Sequence, residues 1–406
     1  MKLLVIIPDA LSALVKKGEI TSRYYNPGNL FDEVHIMMTN NDQVNPQEVQ
    51  ITVGDARLFL HNIPIEESGY LQRSPFFMPW LLKKWASPML SIARKIMLRR
   101  LIQLAEPAVR LAGQIEPNLI RCHANDYNAV IARCIKEKYG TPYLVSLHTN
   151  PDVNMRRRKL KEPLTWHERL YNLFFDDIET YGLQKADLVL PVYKSILPYL
   201  KRVGCQHVQV AYNVLSEHLQ QKKDYTLHQP IRVISVGRHY EEKNPTNLIL
   251  AVKQLPQVHL TLVGNGPYQP RLEALVQEND ISERVTFLPA LMNIEVCHRL
   301  PEFDIFAIHI KYSGLSKSLL EALLTGLPCI INYSDGEQTP ELLEESLVHF
   351  VENTKDGYFQ GLQKLIEDHA YREQLGRKAY AYAQERWSPK MTEAVYVNLY
   401  KKFMLQ

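Results

Sequence analysis

The stretch DIFAIHIKYSGLSKSLLEALLTGLPCIIN, from Asp304 to Asn332, contains the pattern that decides the fold of this chain. An apolar run, DIFAIHI, is followed by a loop around Gly314, a helical pattern over 316–325 and a second apolar run, LPCIIN. Neither apolar run alternates strictly with polar residues, as is typical of strands that are covered on both faces. The order strand, helix, strand predicts a right-handed crossover between two parallel strands.

The same alternation extends through almost all of the 406 residues. Strand-like runs are KLLVIIP, EVHIMM, NLIRCH, PYLVSLH, ADLVLPV and VQVAYN in the first half, and IRVISVG, VHLTLVG, RVTFLP, DIFAIHI and LPCIIN in the second. Helical patterns cover 88–113, 125–138, 245–255, 269–279, 316–325 and 371–386. The pattern restarts near residue 231, after the polar segment SEHLQQKKDYTLHQP at 216–230. We therefore predict an α/β fold with two Rossmann-like parallel-sheet domains, at 1–214 and 215–388, and a C-terminal helix at 389–406 that packs back on the first domain.

Composition and charge exclude several classes of protein. A net charge of +3 is too small for a polyelectrolyte partner, so we expect no nucleic-acid binding. The five cysteines have neither metal-site nor redox spacing, which indicates reduced thiols in a cytoplasmic protein. No apolar run is long enough to span a membrane, and Pro8 and Asp9 interrupt the apolar start, which favours a first strand over a signal peptide.

Two cations follow the run IRVISVG, at a position where parallel sheets bind ligands. Gly237 permits a tight exit from the strand, and Arg238 and Lys243 come next, just before a helix. An arginine fork and a lysine point charge beside a helix N-terminus suit a diphosphate. The alternative is a pair of surface charges that Glu241 and Glu242 neutralise.

The segment Gly264-Asn265-Gly266 follows the run VHLTLVG and predicts a tight turn. It is not a dinucleotide fingerprint, because the third glycine is missing and Pro267 follows at once. A plain turn and a close approach of the backbone to a ligand both remain open.

Glu321 lies in the helical pattern, on the side opposite to the leucines. One interpretation places it on a solvated face, where it pairs with Lys317 four residues earlier. The other interpretation places it in the same cleft as Arg238, where a carboxylate can accept hydrogen bonds from a ribose diol. Gly314 would then expose backbone N–H groups at the entrance to the helix.

Taken together, these segments carry a family resemblance. SVGRHYEEKNP, LVGNGP, RVTFLP and GLSKSLLEALLTGLPCI occur in the order seen in family 4 glycosyltransferases of the GT-B fold, the glycosyl transferases group 1. The resemblance covers 230–390 and extends more weakly to the first half through HANDY, SLHTN and ADLVLPV. It implies two domains facing across a cleft and a hexosyltransferase-like enzyme. Such an enzyme transfers a sugar from a UDP- or GDP-sugar to a hydroxyl with retention of configuration, using no metal and no other cofactor.

The resemblance also implies roles for individual residues. Arg238 and Lys243 would stabilise the leaving nucleoside diphosphate, which is electrostatic stabilisation of a developing charge. Glu321 would hold the ribose hydroxyls of the donor. His148, at the end of PYLVSLH, matches a histidine that contacts the sugar or its phosphate from the N-terminal domain.

Two departures from the family pattern concern the donor sugar and the phosphates. The backbone of Gly314, Leu315 and Ser316 would contact the donor sugar, but Ser313 stands where the family usually has a first glutamate. This replacement leaves open a catalytically impaired, nucleotide-sugar-binding scaffold of the same fold. Relatives often have a Gly-Gly phosphate loop after the first strand, and here only Gly18 could fill that role.

The acceptor would bind the N-terminal domain, where the sequence is basic and partly aromatic. The stretch 71–105 contains FFMPWLLKKW and no acidic residue, and a second basic run, MRRRKLK, follows at 155–161. Such a stretch suits an anionic membrane surface, which would make the protein peripheral on the inner face of the membrane, in polysaccharide or glycolipid assembly. A solvated face or a groove for an acidic acceptor is the alternative. The acceptor itself stays open among a sugar, a lipid-linked saccharide and a small molecule.

Overall fold

Two α/β domains, each built on a six-stranded sheet, make up the computed structural model, which describes residues 1–64, 88–153, 166–215 and 217–404. The strands of the first sheet are β1 Lys2–Ile7, β2 Glu33–Met38, β3 Arg57–Asn62, β4 Leu119–His123, β5 Tyr143–Leu147 and β6 Leu188–Pro191. The strands of the second sheet are β7 Ile231–Val236, β8 Val258–Val263, β9 Val285–Leu288, β10 Ile305–Ile308, β11 Cys329–Asn332 and β12 His349–Val351.

Both sheets are parallel and have the same topology. The first has the order β3-β2-β1-β4-β5-β6 and the second the order β12-β11-β10-β7-β8-β9, which is the same order read from the other edge. The predicted α/β class with two parallel sheets is confirmed. The strand order reverses between β1 and β4 in the first sheet and between β7 and β10 in the second. Parallel sheets bind ligands beyond the carboxyl ends of the strands at such a reversal point.

Helices connect the strands and cover both sheets. They are α1 Leu11–Lys16, α2 Pro46–Val49, α3 Pro88–Leu104, α4 Glu106–Ile115, α5 Tyr127–Tyr139, α6 Trp166–Leu183, α7 Leu197–Arg202, α8 Thr246–Lys253, α9 Gln269–Glu278, α10 Asn293–Arg299, α11 Lys317–Thr325, α12 Pro340–Leu343, α13 Lys355–Glu367, α14 His369–Trp387 and α15 Pro389–Met404. Strands β4, β5 and β10 are fully buried, as their unbroken apolar runs predict.

The structure differs from the predicted elements in three details. The run VQVAYN forms no strand and makes only an isolated bridge from Val208 to Val189. The edge strands β3 and β12 were not predicted, because β3 is only half-buried and β12 is three residues long. The predicted helix 88–113 is two helices, α3 and α4, which meet at Ala105.

The C-terminal helix α15 packs against the first domain. Its Tyr396 hydroxyl donates to the backbone oxygen of Ala211 at 3.2 Å. The ring of Tyr396 also lies 4.6 Å from the guanidinium of Arg121, a fully buried residue of β4. Arg121 donates to the backbone oxygen of Tyr24 at 2.8 Å, so one buried cation links β4, the segment after α1 and α15.

Candidate active site

A cavity of about 570 Å³ lies between the two domains, at the carboxyl ends of the strands on either side of both reversal points. The first domain contributes Asp9 after β1, Asn125 after β4 and His148 after β5. The second domain contributes Arg238 after β7 and Lys317 at the start of α11. Because the two sheets present equivalent edges to the cavity, a ligand here would contact both domains.

Arg238 and Lys243 occupy neighbouring recesses of this cleft. Arg238 faces the large cavity, whereas Lys243 lines a smaller recess together with Gly237, Ser316 and Ser318. Both side chains are exposed, and neither forms an ion pair with any residue that the structure describes. The surrounding protein desolvates the Lys243 ammonium within the cleft, and this effect, together with the like charge of Arg238, lowers the pKa of Lys243. The pair can therefore accept an anion.

The glycine turn after β8 serves loop packing. A Cβ on Gly264, where φ is +144°, would lie 2.0 Å from the backbone oxygen of Gly237. A Cβ on Gly266 would lie 2.1 Å from the backbone oxygen of His239, and Asn265 accepts the His239 N–H at 2.9 Å. Residues 264–266 line neither of the two recesses. They hold the loop that carries Arg238 in place.

The loop before α11 is held from within the second domain. The Gly314 N–H donates to Thr339 Oγ1 at 3.0 Å, so it is not offered to a ligand as the sequence suggested. Ser313 and Leu315 are buried. Ser316 caps the helix by accepting the Leu319 N–H at 3.3 Å, and it also lines the recess beside Lys243. Ser316 is thus the residue of this loop that lines the same recess as Lys243.

Glu321 is only 3 % exposed, so the solvated-face interpretation is wrong. Its Oε1 accepts a hydrogen bond from Asn293 Nδ2 at 2.7 Å. Burial raises the pKa of Glu321 to about 7, against the opposing effects of the Asn293 hydrogen bond and the Lys317 charge. The ammonium of Lys317 lies 5.1 Å from the ring centroid of Tyr24 in the other domain.

His148 lines the cavity and stacks on His123, with ring centroids 4.9 Å apart. Burial, with the charges of Arg121 and Lys317, lowers the pKa of His148 to about 3, so the imidazole is neutral at physiological pH. The Nε2 atoms of both histidines and Asn213 Oδ1 are buried without a hydrogen-bond partner among the described residues. These atoms can bind ligand hydroxyls, and His123, Asn213 and Lys317 were not predicted as site residues.

Gly18 contacts the other domain and does not line the cavity. Its φ is +67°, and a Cβ there would lie 2.5 Å from the backbone oxygen of Leu291. Its neighbour Glu19 does line the cavity. The phosphate loop expected at Gly18 is therefore replaced by a contact between the domains.

Parts of the sequence-based predictions fall outside the described residues. The stretch 71–105 is described only from residue 88, and the run 155–161 is not described. Among the described residues there is no helix long and apolar enough to cross a membrane, and no cluster of three His, Cys, Asp or Glu that could hold a metal. Asp177, the second of two adjacent aspartates in α6, forms an ion pair with Arg94.

Comparison with known proteins shows a family likeness in the second half of the chain. Residues 218–382 match the sequence model of the family Glycosyl transferases group 1. The match covers less than half of the chain. The matched segment contains Arg238, Lys243 and Glu321, and the predicted family resemblance is confirmed.

Individual curated relatives are similar to part of the chain. The lipopolysaccharide core biosynthesis glycosyltransferase LpsD of Rhizobium meliloti is 29 % identical over 42 % of this chain and 49 % of its own length. A Campylobacter jejuni N-acetylgalactosaminyltransferase, whose name includes a diphospho-undecaprenol acceptor, is 26 % identical over 66 % of this chain and 72 % of its own. The chain spans about half the length, or less, of LpsD and of two further curated relatives that it matches.

Solved structures share the arrangement of both domains. Anabaena Alr3699/HepE, solved with UDP and glucose, has a TM-score of 0.70 at 15 % identity over 99 % of each chain. Sucrose-phosphate synthase from Thermosynechococcus elongatus has a TM-score of 0.69 at 16 % identity, over 100 % of this chain and 99 % of its own. The predicted GT-B fold, with two Rossmann-like domains facing across a cleft, is confirmed.

Proposed function

We propose that the chain is a metal-independent, retaining glycosyltransferase that moves a sugar from a UDP- or GDP-sugar to a hydroxyl acceptor. One observation carries the proposal. Arg238 projects into the interdomain cavity, and Lys243 lines a recess of the second domain beside the Ser316-capped start of α11. Neither cation forms an ion pair with a described residue. A diphosphate between the two cations would lie at the reversal point of the second sheet, between β7 and β10.

The residues around this point have distinct tasks in the proposed reaction. When the bond from the sugar to the diphosphate breaks, negative charge develops on the leaving oxygen, and Arg238 and Lys243 stabilise it. Glu321 binds the ribose hydroxyls. His148 is neutral, and its unpartnered Nε2 binds a hydroxyl of the sugar or acceptor without acting as a charged acid. Retention of configuration rests on the resemblance to family 4.

Two similar proteins, one solved with a UDP-sugar and one named for a GDP-sugar, support the choice of donor. HepE was solved in complex with UDP-glucose. A Corynebacterium glutamicum relative, 29 % identical over 37 % of this chain and 42 % of its own, is named as a GDP-mannose-dependent mannosyltransferase. A UDP- or GDP-linked hexose is therefore the donor class that we propose.

For the acceptor, we propose a sugar or lipid-linked saccharide in polysaccharide or glycolipid assembly. LpsD is named for lipopolysaccharide core biosynthesis, and the Campylobacter relative for a lipid-linked acceptor. Helix α3 exposes Lys95, Ile96 and Arg99, which suits peripheral binding to the anionic inner face of a membrane. This placement makes the protein cytoplasmic and membrane-associated.

Thermal unfolding with UDP, GDP and their sugars tests the donor site. A nucleotide at one hundred times its Kd stabilises the fold by about 2.7 kcal/mol, which raises Tm of a chain of 406 residues by roughly 3 °C. We expect Arg238→Ala and Lys243→Ala to abolish this rise while the ligand-free Tm stays within about 2 °C. Arg271→Ala is the matched control, because Arg271 is exposed in the same domain and lies 5.2 Å from a tyrosine ring, as Arg238 does. An undiminished rise in both cleft variants would refute the diphosphate site.

The buried Ser313 keeps a second candidate function open. Without a carboxylate at this position, the protein could bind a nucleotide sugar as a scaffold and transfer nothing. A radiolabelled donor distinguishes the two functions. Binding with neither transfer nor hydrolysis would favour the scaffold, whereas release of UDP or GDP with an acceptor present would favour the enzyme.

A further inference from the structure

The two domains touch at a glycine that tolerates no side chain. The backbone N–H of Asn293, at the start of α10 in the second domain, donates to the backbone oxygen of Gly18 in the first at 3.1 Å. A Cβ on Gly18 would lie 2.5 Å from the Leu291 oxygen and 2.7 Å from Met292 Cα, both backbone atoms that cannot rotate away. Gly18 therefore permits an approach of the two domains that any other residue would prevent.

The side chain of Asn293 extends this contact to Glu321. Its Nδ2 donates to Glu321 Oε1 at 2.7 Å, and its Oδ1 lies 3.8 Å from Cys297 Sγ, a weak donor. The amide orientation is consistent, since a carboxylate can only accept and a thiol can donate. One asparagine thus joins the backbone of the first domain to a buried carboxylate of the second.

We propose that Asn293 is a positioning residue that couples closure of the two domains to nucleotide binding at Glu321. The inference rests on the proposed function, in which Glu321 binds the ribose. Asn293 bonds to one carboxylate oxygen and thereby fixes the orientation of the whole carboxyl group. Because coupling free energies are reciprocal, a nucleotide that engages Glu321 strengthens the Gly18–Asn293 contact, and that contact strengthens nucleotide binding.

The charges around Glu321 make this coupling measurable. Lys317 lies one turn earlier on the same helix, Asn293 faces the carboxylate from α10, and Glu19 approaches from the first domain next to Gly18. The Asn293 amide and Lys317 favour the ionised carboxylate, whereas burial and Glu19 favour the protonated form. Removal of the amide donor must raise the pKa of Glu321 further.

The first test needs no ligand. When the pKa of a carboxyl group is higher in the folded than in the unfolded state, the folded protein loses stability as pH rises. Because Asn293→Leu raises the pKa of Glu321 further, it should enlarge this loss of stability. We expect the decrease in Tm caused by Asn293→Leu to be at least twice as large at pH 8.5 as at pH 5.5. In a Glu321→Gln background the decrease should be the same at both pH values. Asn293→Ser provides the same comparison if the leucine variant does not fold. A pH-independent decrease in the Glu321 background would overturn the positioning role.

The second test measures nucleotide affinity with UDP and with GDP. At pH 8 we expect Asn293→Leu to weaken binding about tenfold, because it removes a hydrogen bond to a charged group. Gly18→Ala should weaken binding about fivefold, although Gly18 does not line the cavity. Gly140→Ala is the matched control, since Gly140 also has a positive φ, +77°, and no atom lies within 4 Å of its added Cβ. Wild-type affinity in Gly18→Ala would contradict the coupling.

Failure of the inference differs from failure of the proposed function. If wild-type protein binds neither nucleotide, the donor site is wrong, and with it the coupling to nucleotide. The pH-dependent stability then still decides whether Asn293 positions Glu321. Hydrogen exchange at the Asn293 amide decides the domain contact: exchange should be at least tenfold faster in Gly18→Ala than in Gly140→Ala, and equal rates would contradict the contact.

Discussion

At the scale of single residues, Glu321 shows why a helical pattern cannot by itself distinguish water from a cleft. Lys317, Glu321 and Thr325 form the polar side of α11, and the pattern allows that side to face solvent. In the structure Glu321 is 3 % exposed and Thr325 is fully buried. Lys317 lines the interdomain cavity and Glu321 bonds to Asn293, although Glu321 itself lines neither recess. From the sequence, only the resemblance to the family argued against a solvated Glu321.

Glu321→Gln should change how stability depends on pH. The pKa of Glu321 rises from 4.5 in the unfolded chain to about 7 when folded, so the wild-type protein loses stability between these pH values. The neutral amide removes that loss. Relative to wild type, we expect the free energy of unfolding of the variant to rise by about 2 kcal/mol between pH 5 and pH 8. Urea denaturation at the two pH values measures this difference, and parallel pH profiles would show that Glu321 does not titrate in this range.

At the scale of elements, the strands of both sheet centres could be predicted because they are continuous apolar runs. The edge strands could not, since β3 is half-buried and lacks such a run. VQVAYN has the residue types of a strand, yet Val208 finds only one bridging partner. The sequence placed Arg238 and Lys243 at a strand end correctly. The sequence could not show that Gly264 must be small to fit against the backbone of Gly237. The two residues follow different strands, β8 and β7, and no local pattern reports a contact between their loops.

Gly264→Ala tests this loop packing. The added Cβ would lie 2.0 Å from the Gly237 oxygen and would have to displace the backbone just before Arg238. We expect a loss of about 2 kcal/mol in stability and weaker binding of UDP or GDP. Gly336→Ala is the control, because Gly336 has φ +83° and open space around its Cβ, so it should cost about 1 kcal/mol and leave binding unchanged. Calorimetry for both variants gives stability and affinity, and full nucleotide affinity in Gly264→Ala would exclude a role in holding Arg238.

At the scale of the whole molecule, the fold of each domain can be predicted from the sequence pattern of that domain, but the contacts between the domains cannot. Gly18 lies beside Asn293, and Lys194 lies beside Glu341, at separations in sequence that no local pattern spans. These contacts set the distance between the two faces of the cleft. They therefore decide whether a ligand can reach residues of both domains at once.

The Lys194–Glu341 contact provides a test of what holds the domains together. Glu341 is 1 % exposed, and its Oε1 accepts the backbone N–H of Lys194 at 2.7 Å, whereas Glu344 forms an exposed ion pair with the Lys194 ammonium at 2.8 Å. Glu341→Ala leaves a partly buried N–H without this partner and should cost about 1–3 kcal/mol. Glu344→Ala removes a screened pair and should cost less than about 1 kcal/mol. We expect hydrogen exchange at the Lys194 amide to accelerate at least tenfold in Glu341→Ala only. Equal exchange in the two variants would mean that the buried carboxylate does not hold the domains together.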